Sequence, residues 1–349
     1  MDRSPLIWAL TGTRAGDNAQ VLALADMVAA KTAATVMEIP LRYNALRMLP
    51  NNLIPAGPRV VAADFRKGLA PPWPELVIGV GRRPVPVARW IGRQSGGRAR
   101  LVWLGRPRAP LGWFDLVLTT AQYGLPEEAN VRLLDLPFAR APEAADPGRW
   151  KEKFSALPRP WTAVLVGGER WPVRFDARDA ARLGRAVEAE RARTGGSWIV
   201  STSPRTGARV ARALHENLKK PGYFYYWRAG MAARDNPHLA LLALADRFIV
   251  TADSASMIAE AVRSRRPVAL ARMHVSPLAP RWSARKGLAR LLAREGIVTP
   301  PRDMEAFCRR LVRSGLASWL GREAAGPVSG WRERRLEEAV DHIAKWLEN

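Results

Sequence analysis

Four short segments hold the residues whose types and spacing suit chemistry. In Thr11-Gly12-Thr13-Arg14-Ala15-Gly16-Asp17-Asn18-Ala19-Gln20, two glycines let the backbone turn tightly and approach a ligand, and a carboxylate follows at once. Asp17 either caps the helix that follows or acts as a base or acceptor-binding group, with Gly16 and Asn18 beside it. Val164-Leu165-Val166-Gly167-Gly168 ends an apolar run in paired glycines, where a phosphate or a reacting sugar can approach backbone N–H groups. Ser201-Thr202-Ser203-Pro204-Arg205-Thr206-Gly207 offers the hydroxyls of Ser201, Ser203 and Thr206 to phosphate oxygens, and Arg205 can grip a diphosphate with its planar guanidinium. The same hydroxyls also suit helix and turn caps.

The fourth segment is the most informative. After Asn236-Pro237, an apolar run from Ala243 to Thr251 delivers Ala252-Asp253-Ser254-Ala255-Ser256-Met257-Ile258-Ala259-Glu260. A helix beginning at Ser254 points free N–H groups and the positive end of its dipole at an anion, with Ser254, Ser256 and Met257 at its lip. Glu260, further along, can accept hydrogen bonds from two ribose hydroxyls; the alternative is a capping Ser254 and a solvated Glu260. Other chemistries lack their residues. There is no GxGxxG or GxxxxGK[ST] loop, no DxD, no HExxH and no GxSxG, and His215, His238, His274 and His342 are scattered. No metal site and no resident cofactor is expected.

The elements that must position these segments are those of α/β domains. Leu6–Thr11, a helical stretch Ala19–Ala30 and the β-rich Ala34–Ile39 make a βαβ unit, and buried strands are expected at Leu76–Val80, Arg100–Leu104 and Leu116–Thr120. A Pro-rich stretch follows. The pattern restarts at Trp161–Val166 and continues through a charged helix (Asp176–Thr194), strands at Ser197–Ser201, Tyr223–Trp227, Arg247–Thr251 and Pro267–Ala271, and helices at Gly207–Leu218, Pro237–Ala245 and Ser254–Arg263. The expected division is a first domain over 1–145, a linker over 146–160, a second domain over 161–330 and a closing amphipathic helix over 331–349. Two doubly wound Rossmann-like domains facing across a cleft place a ligand at the strand-to-helix turns.

Composition narrows the partners. Across 349 residues, 55 Lys+Arg against 32 Asp+Glu leave a formal charge of +23, with arginine far exceeding lysine. Such a field favours nucleic acid, anionic membrane or phosphorylated small molecules, although genome composition also produces it. Between Leu76 and Phe114 there is no acid, and Arg82, Arg83, Arg89 and Arg93 stand around Trp90, a pattern that suits an anionic membrane surface or solvated basic faces. A second acid-free stretch, Ala261 to Arg294, carries Arg272, Arg281, Arg285 and Lys286 in a loop able to meet a diphosphate or lipid phosphate. The single cysteine, Cys308, sits on an apolar face as core filler, and one cysteine excludes an internal disulfide. With no signal-peptide pattern at the first residues and no transmembrane run, the expected location is cytoplasmic, with membrane contact at most peripheral at the inner membrane.

Read together, Gly16–Gln20, Thr119-Thr120 with Gln122-Tyr123-Gly124-Leu125-Pro126 and Asn130-Val131, Gly167-Gly168, Ser201–Thr206 and Asn236-Pro237 through Glu260 resemble the GT-B glycosyltransferases. They resemble more closely the mitochondrial-fission family of the plant "elongated mitochondria" protein and its bacterial relatives. The Ser254–Glu260 stretch is similar to the donor-binding stretch of the peptidoglycan N-acetylglucosaminyltransferase, whose matching glutamate holds the nucleotide ribose. Ser254 stands where that enzyme has glycine and Met257 where it has threonine. Its histidine base has no counterpart, and Asp17 takes that place by position. The resemblance implies inverting, metal-independent transfer from a nucleotide-sugar co-substrate to a cell-envelope acceptor, lipid-linked or at the membrane surface. Its donor residues would be Gly167, Gly168, Ser201, Ser203, Arg205, Thr206, Ser254, Ser256, Met257 and Glu260, with Arg272 near the acceptor. The rival is a membrane-associated adaptor that keeps the fold without the chemistry. Specific nucleic-acid binding has only charge in its favour, and the sequence carries no reading of oligomeric state.

Overall fold

The computed structural model describes residues 4–138, 147–277, 287–323, 325–326 and 331–348. Short apolar runs closed by glycine or polar turn residues become strands buried on both faces, as inner positions of a parallel sheet require. The chain opens with β1 (Leu6–Thr11), α1 (Ala15–Thr32) and β2 (Thr35–Pro40). Then come β3 (Leu76–Val80), α2 (Val85–Gln94), β4 (Arg100–Leu104), β5 (Leu116–Thr120) and β6 (Val131–Leu134). These strands pair in parallel in the order β2-β1-β3-β4-β5-β6.

A second sheet follows. Its elements are α3 (Pro147–Lys153), β7 (Trp161–Val166), β8 (Val173–Arg174), α4 (Ala177–Thr194), β9 (Ser197–Thr202), α5 (Ala208–Glu216) and β10 (Gly222–Tyr225). They continue with α6 (His238–Leu244), β11 (Arg247–Thr251), α7 (Ala255–Arg263), β12 (Val268–Ala271) and β13 (His274–Val275). The chain ends with α8 (Gly287–Arg294), α9 (Met304–Arg313), β14 (Ser318–Trp319) and α10 (Arg334–Glu348). The second sheet is parallel in the order β10-β9-β7-β11-β12-β14, and β8 pairs with β13 antiparallel apart from it. Both sheets are doubly wound: the second has the Rossmann order and the first has a flavodoxin-like start.

The division of the chain differs from the expected one. The first compact unit lies within residues 1–140, 281–303 and 332–349, the second within 141–280 and 304–331. Residues 287–303, expected in the second domain, fall in the first unit, to which this stretch is hydrogen-bonded. Asp303 N–H donates to the Gln122 carbonyl at 2.8 Å, and Arg106 donates to the Pro300 carbonyl. The expected linker is ordered core: Trp150 of α3 is buried and packs on Phe154, whose ring meets Trp161 at 5.8 Å and Tyr223 at 5.3 Å. Residue 146 lies outside the described residues.

In the first unit the period-two alternation fills two cores at once. Trp8, Leu10, Val77 and Trp103 face α2, while Ile7, Ala9, Ile78 and Val102 face α1 and the buried stripe Leu336, Val340 and Ile343 of α10. Trp8, Trp73 and Trp90 form an aromatic file with centroids 5.6 and 5.4 Å apart. In the second unit α4 and α5 cover one face over Val164, Val200 and Ile249, and Cys308 is buried in α9 as core filler.

Both sheets use one packing device. Gly79 of β3 is in register with Trp103 of β4, and Gly222 of β10 with Trp198 of β9. A Cβ on Gly79 would stand 2.5 Å from the Trp103 ring, and one on Gly222 2.3 Å from that of Trp198. Each indole is fixed by donating to a carbonyl, Trp103 to Gly81 at 2.7 Å and Trp198 to Lys219 at 2.6 Å, so neither ring can swing away. Gly79→Ala is therefore expected to destabilise the chain by about 1–3 kcal/mol. A urea-denaturation midpoint equal to that of the unmodified protein would refute the overpacking.

Candidate functional site

Ligands of open parallel sheets bind beyond the carboxyl ends of the strands, where the strand order reverses. In the second unit that point lies between β7 and β11. Three turns meet there, and a buried carboxylate joins them. Asp253, its side chain fully buried, accepts from the Thr251 hydroxyl at 2.6 Å through Oδ1 and from the Gly168 N–H at 3.1 Å through Oδ2. Arg205 Nη1 approaches Oδ2 to 2.7 Å as an ion pair, without the alignment of a hydrogen bond.

The paired glycines have a packing reason. A Cβ on Gly167 would come within 2.1 Å of the Asp253 carboxylate, and one on Gly168 within 2.0 Å of the Arg205 carbonyl. Their amides do not point at an open phosphate position: Gly167 N–H donates to Thr251 Oγ1 at 2.8 Å and Gly168 N–H to Asp253. Thr206 is likewise committed. Its hydroxyl accepts from Ser203 N–H at 3.0 Å and donates to the carbonyls of Val166, at 3.1 Å, and Gly167. Ser203 Oγ is 3.2 Å from it and accepts from Arg205 N–H at 3.3 Å. These contacts correct the expectation of hydroxyls and glycine amides open to phosphate. They leave the Arg205 guanidinium, paired with Asp253 and about a third exposed, as this turn's cation.

The donors that stay open belong to α7. Ser254 is its N-cap yet makes no capping hydrogen bond; its Oγ is 3.5 Å from Ser256 Oγ, and Met257 is half-buried in the first turn. Glu260 lies further along the helix and is not simply solvated, since its Oε2 is 2.7 Å from His238 Nε2 at the start of α6. Asn236 Oδ1 accepts from His238 N–H at 3.0 Å and lies 3.5 Å from the buried Ser201 hydroxyl. Asp253, Thr251, Asn236 and His238 are the residues that reading the sequence did not single out. The one signal for Asp253 was its place two residues beyond a strand end, matching Gly167-Gly168 at the end of β7.

In the first unit the reversal lies between β1 and β3. The N-cap of α1 is Arg14, not Asp17. Asp17 sits in the first helical turn, partly exposed, with a weak ion pair to Arg14 at 3.8 Å. Asn18 clamps the turn, accepting from Gly12 N–H at 2.8 Å and donating to the Gly12 carbonyl at 2.9 Å, while Gly16 is exposed and its carbonyl accepts from Gln20 at 3.2 Å. Asp17 is thus available for chemistry and Asn18 holds structure. Near the end of β5, the buried Thr119 Oγ1 and Gln122 Oε1 have no hydrogen-bond partner among the described residues.

The basic patch expected over Arg82–Arg93 splits in two. Trp90 is partly buried and packs edge-on against Trp73 in the tryptophan file, and Arg89 lies 3.4 Å over the Trp113 ring. Burial, and then the charge of Arg93, holds Arg89 below the usual guanidinium range. Arg82 and Arg83 instead stand at the carboxyl end of β3. Arg272, expected beside the acceptor, lies 4.2 Å over the Trp319 ring. It lines a cavity of about 400 Å³ with Phe175, Asp179 and His274, whose lining includes none of Arg205, Asp253 and Glu260. Arg281, Arg285 and Lys286 lie outside the described residues.

Comparison with known proteins places these turns in context. The family model described as Mitochondrial fission ELM1 matches residues 15–349. The Arabidopsis thaliana mitochondrial fission protein ELM1 is 30% identical over 222 residues, 56% of this chain and 51% of that protein, so the match spans about half that relative's length. An uncharacterized Rickettsia prowazekii protein is 23% identical over 295 residues, 75% of this chain and 82% of its own. Among solved structures, the UDP-GlcNAc 2-epimerase of Methanocaldococcus jannaschii aligns over 97% of this chain and 99% of its own at 12% identity and a TM-score of 0.49. A Rickettsia africae glycosyltransferase aligns over 99% of both chains at 11% identity and 0.48.

Replacing Asp253 by alanine leaves the Gly168 amide and Arg205 without their buried partner, and a loss of about 2–3 kcal/mol is expected given that Arg205 is partly exposed. Chemical denaturation of the full chain measures it, and a loss below about 0.5 kcal/mol would contradict the role assigned to Asp253 as the tie among three turns.

Proposed function

The chain belongs to the mitochondrial fission ELM1 family, and from that premise we propose that it is a glycosyltransferase that draws a sugar from a nucleoside-diphosphate donor held by its second unit. The observation that carries the reading is the uncapped N-terminus of α7, standing at the strand-order reversal on the next residue after Asp253, the ion-pair partner of Arg205. Helix amides and a guanidinium suit a diphosphate. Glu260, already oriented by His238, has its other oxygen for a ribose hydroxyl. Ser254, Ser256 and Met257 line the phosphate side.

In the proposed reaction the acceptor hydroxyl oxygen bonds to the anomeric carbon as the bond from that carbon to the diphosphate oxygen breaks. The leaving diphosphate keeps the electron pair and is stabilised by Arg205 and the α7 amides, which supply positive charge from the protein itself. Asp17 takes the proton of the acceptor hydroxyl, and displacement from the opposite face inverts the anomeric centre. The acceptor is a cell-envelope compound, lipid-linked, met on the cytoplasmic side of a membrane.

One observation favours a second reading. The turn amides at Gly167 and Gly168 are satisfied internally, and Arg205 already has a carboxylate partner, which suits an adaptor that keeps the fold without turnover. A thermal-shift panel of UDP-, GDP-, ADP- and CMP-linked sugars separates the two, because selective native-state binding raises the melting temperature by mass action. The expected result is stabilisation by one nucleotide class, with Glu260→Ala weakening that binding by about tenfold. Asp17→Asn is expected to keep the donor shift and to lower turnover by roughly 10²–10⁴. No shift with any donor would end the transferase reading and leave the adaptor.

A further inference from the structure

Three stretches of the chain carry no carboxylate: residues 39–63, 76–114 and 261–294. Parts of all three meet on one surface of the first unit, held there by two asparagine side chains. The buried Asn51 donates to the carbonyls of Arg82 at 2.9 Å, Pro107 at 3.2 Å and Arg108 at 3.2 Å. Asn52 beside it donates at 3.1 Å to the Glu295 carbonyl, where α8 ends. The next residue, Gly296, is so close to Ala109 that a Cβ would come within 2.5 Å of its backbone. Arg82 in turn donates to the Arg47 carbonyl.

Large aliphatic side chains stand out from these tied segments. Met48 is 70% exposed and Leu53 and Leu288 are each 69% exposed, with Leu49, Leu291 and Ile297 beside them. Single exposed leucines are ordinary, but a group of this size on segments bonded to one another marks a contact surface. Arg47, Arg82, Arg83 and Arg108 lie among them. Among the described residues none of these four is in an ion pair; the first unit's pairs fall on Arg14, Lys31, Arg100, Arg290 and Arg294. The acids beside α8 are taken up by its own arginines, Glu128 at 3.1 Å from Arg290 and Glu295 at 3.7 Å from Arg294.

We propose that this surface docks on a bilayer bearing anionic lipid: the aliphatic tips enter the headgroup region while the unpaired arginines meet lipid phosphates. The charge balance selects this occupant. A soluble phosphate would answer the arginines and leave the aliphatic tips in water, whereas a lipid surface meets both, each basic side chain adding to the attraction. The face keeps Arg82 and Arg83 of the patch that the sequence suggested and replaces Arg89, Trp90 and Arg93 with the tips on residues 47–53 and α8; because it lies wholly in the first unit it does not depend on the transferase reading.

Co-sedimentation of the full chain with vesicles tests it. Binding to phosphatidylglycerol–phosphatidylcholine vesicles is expected to exceed binding to phosphatidylcholine alone by at least about tenfold and to fall with salt. The Met48→Glu, Leu53→Glu double variant, with both changes at exposed tips, is expected to lose most of that binding while keeping the unmodified melting temperature. Arg83→Glu is expected to weaken binding to the anionic vesicles and leave any residual phosphatidylcholine binding unchanged. Equal binding to both vesicle types, or full retention by the double variant, overturns the proposal; the second outcome would assign the attraction to net charge alone. A donor-induced thermal shift that persists in the double variant keeps the two readings separate.

Discussion

A carboxylate taken out of water must be matched at once by donors and by opposite charge, and Asp253 sets that condition for the second unit. Its partners come from the ends of three strands, so β7, β9 and β11 can end in one arrangement only. The same carboxylate admits no side chain at 167, and the Arg205 backbone beside it admits none at 168. What reads as a glycine cradle for a ligand's phosphate is in the first place a cradle for the protein's own anion. An incoming diphosphate would therefore compete with Asp253 for Arg205, which ties affinity at this turn to an internal ion pair.

The first unit manages charge in the opposite way. Its turns are tied by neutral amides, Asn18 on Gly12 and Asn51 on three carbonyls, and its cations are left crowded. Burial, followed by the like charge of Arg108, brings Arg106 down to about 10, and burial with Arg108 and Arg83 lowers Arg82 as well. Arg106 at that value stays protonated at neutral pH, so the crowding remains as positive potential. Amide clamps make this possible, since they fix the backbone without neutralising the guanidinium groups around them.

Where local pattern decides structure, the sequence was legible. Leu6–Thr11, Leu76–Val80, Arg100–Leu104, Leu116–Thr120, Trp161–Val166 and Arg247–Thr251 are strands over the spans expected, because buried parallel strands are short apolar runs with abrupt ends. α2 was hidden by its arginines, and Trp90 looked interfacial because a tryptophan between arginines has the same local signature whether its ring meets lipid or another tryptophan. The return of residues 287–303 to the first unit rests on hydrogen bonds to residues nearly 200 positions away, which no local pattern carries. At the site, the positions of Arg205, Ser254 and Glu260 were legible from strand-to-helix turns. Asp253 was not singled out, because a buried carboxylate and a solvated one are the same letter until their partners are known.

The last helix gives the molecule an order in time. α10 lies against α1, with Leu336, Val340 and Ile343 in the core that holds Val21, Leu24 and Val28, and Lys31 is bonded to Asp341. The unit that begins the chain is thus missing part of its core until the final residues have been made, whereas the second unit has all of its segments by residue 331. On the ribosome the later-starting unit is the first that can close, and the N-terminal sheet waits with part of one apolar face uncovered until residues 334–348 have been made. That interval is when a chaperone or an early encounter with another surface would find it.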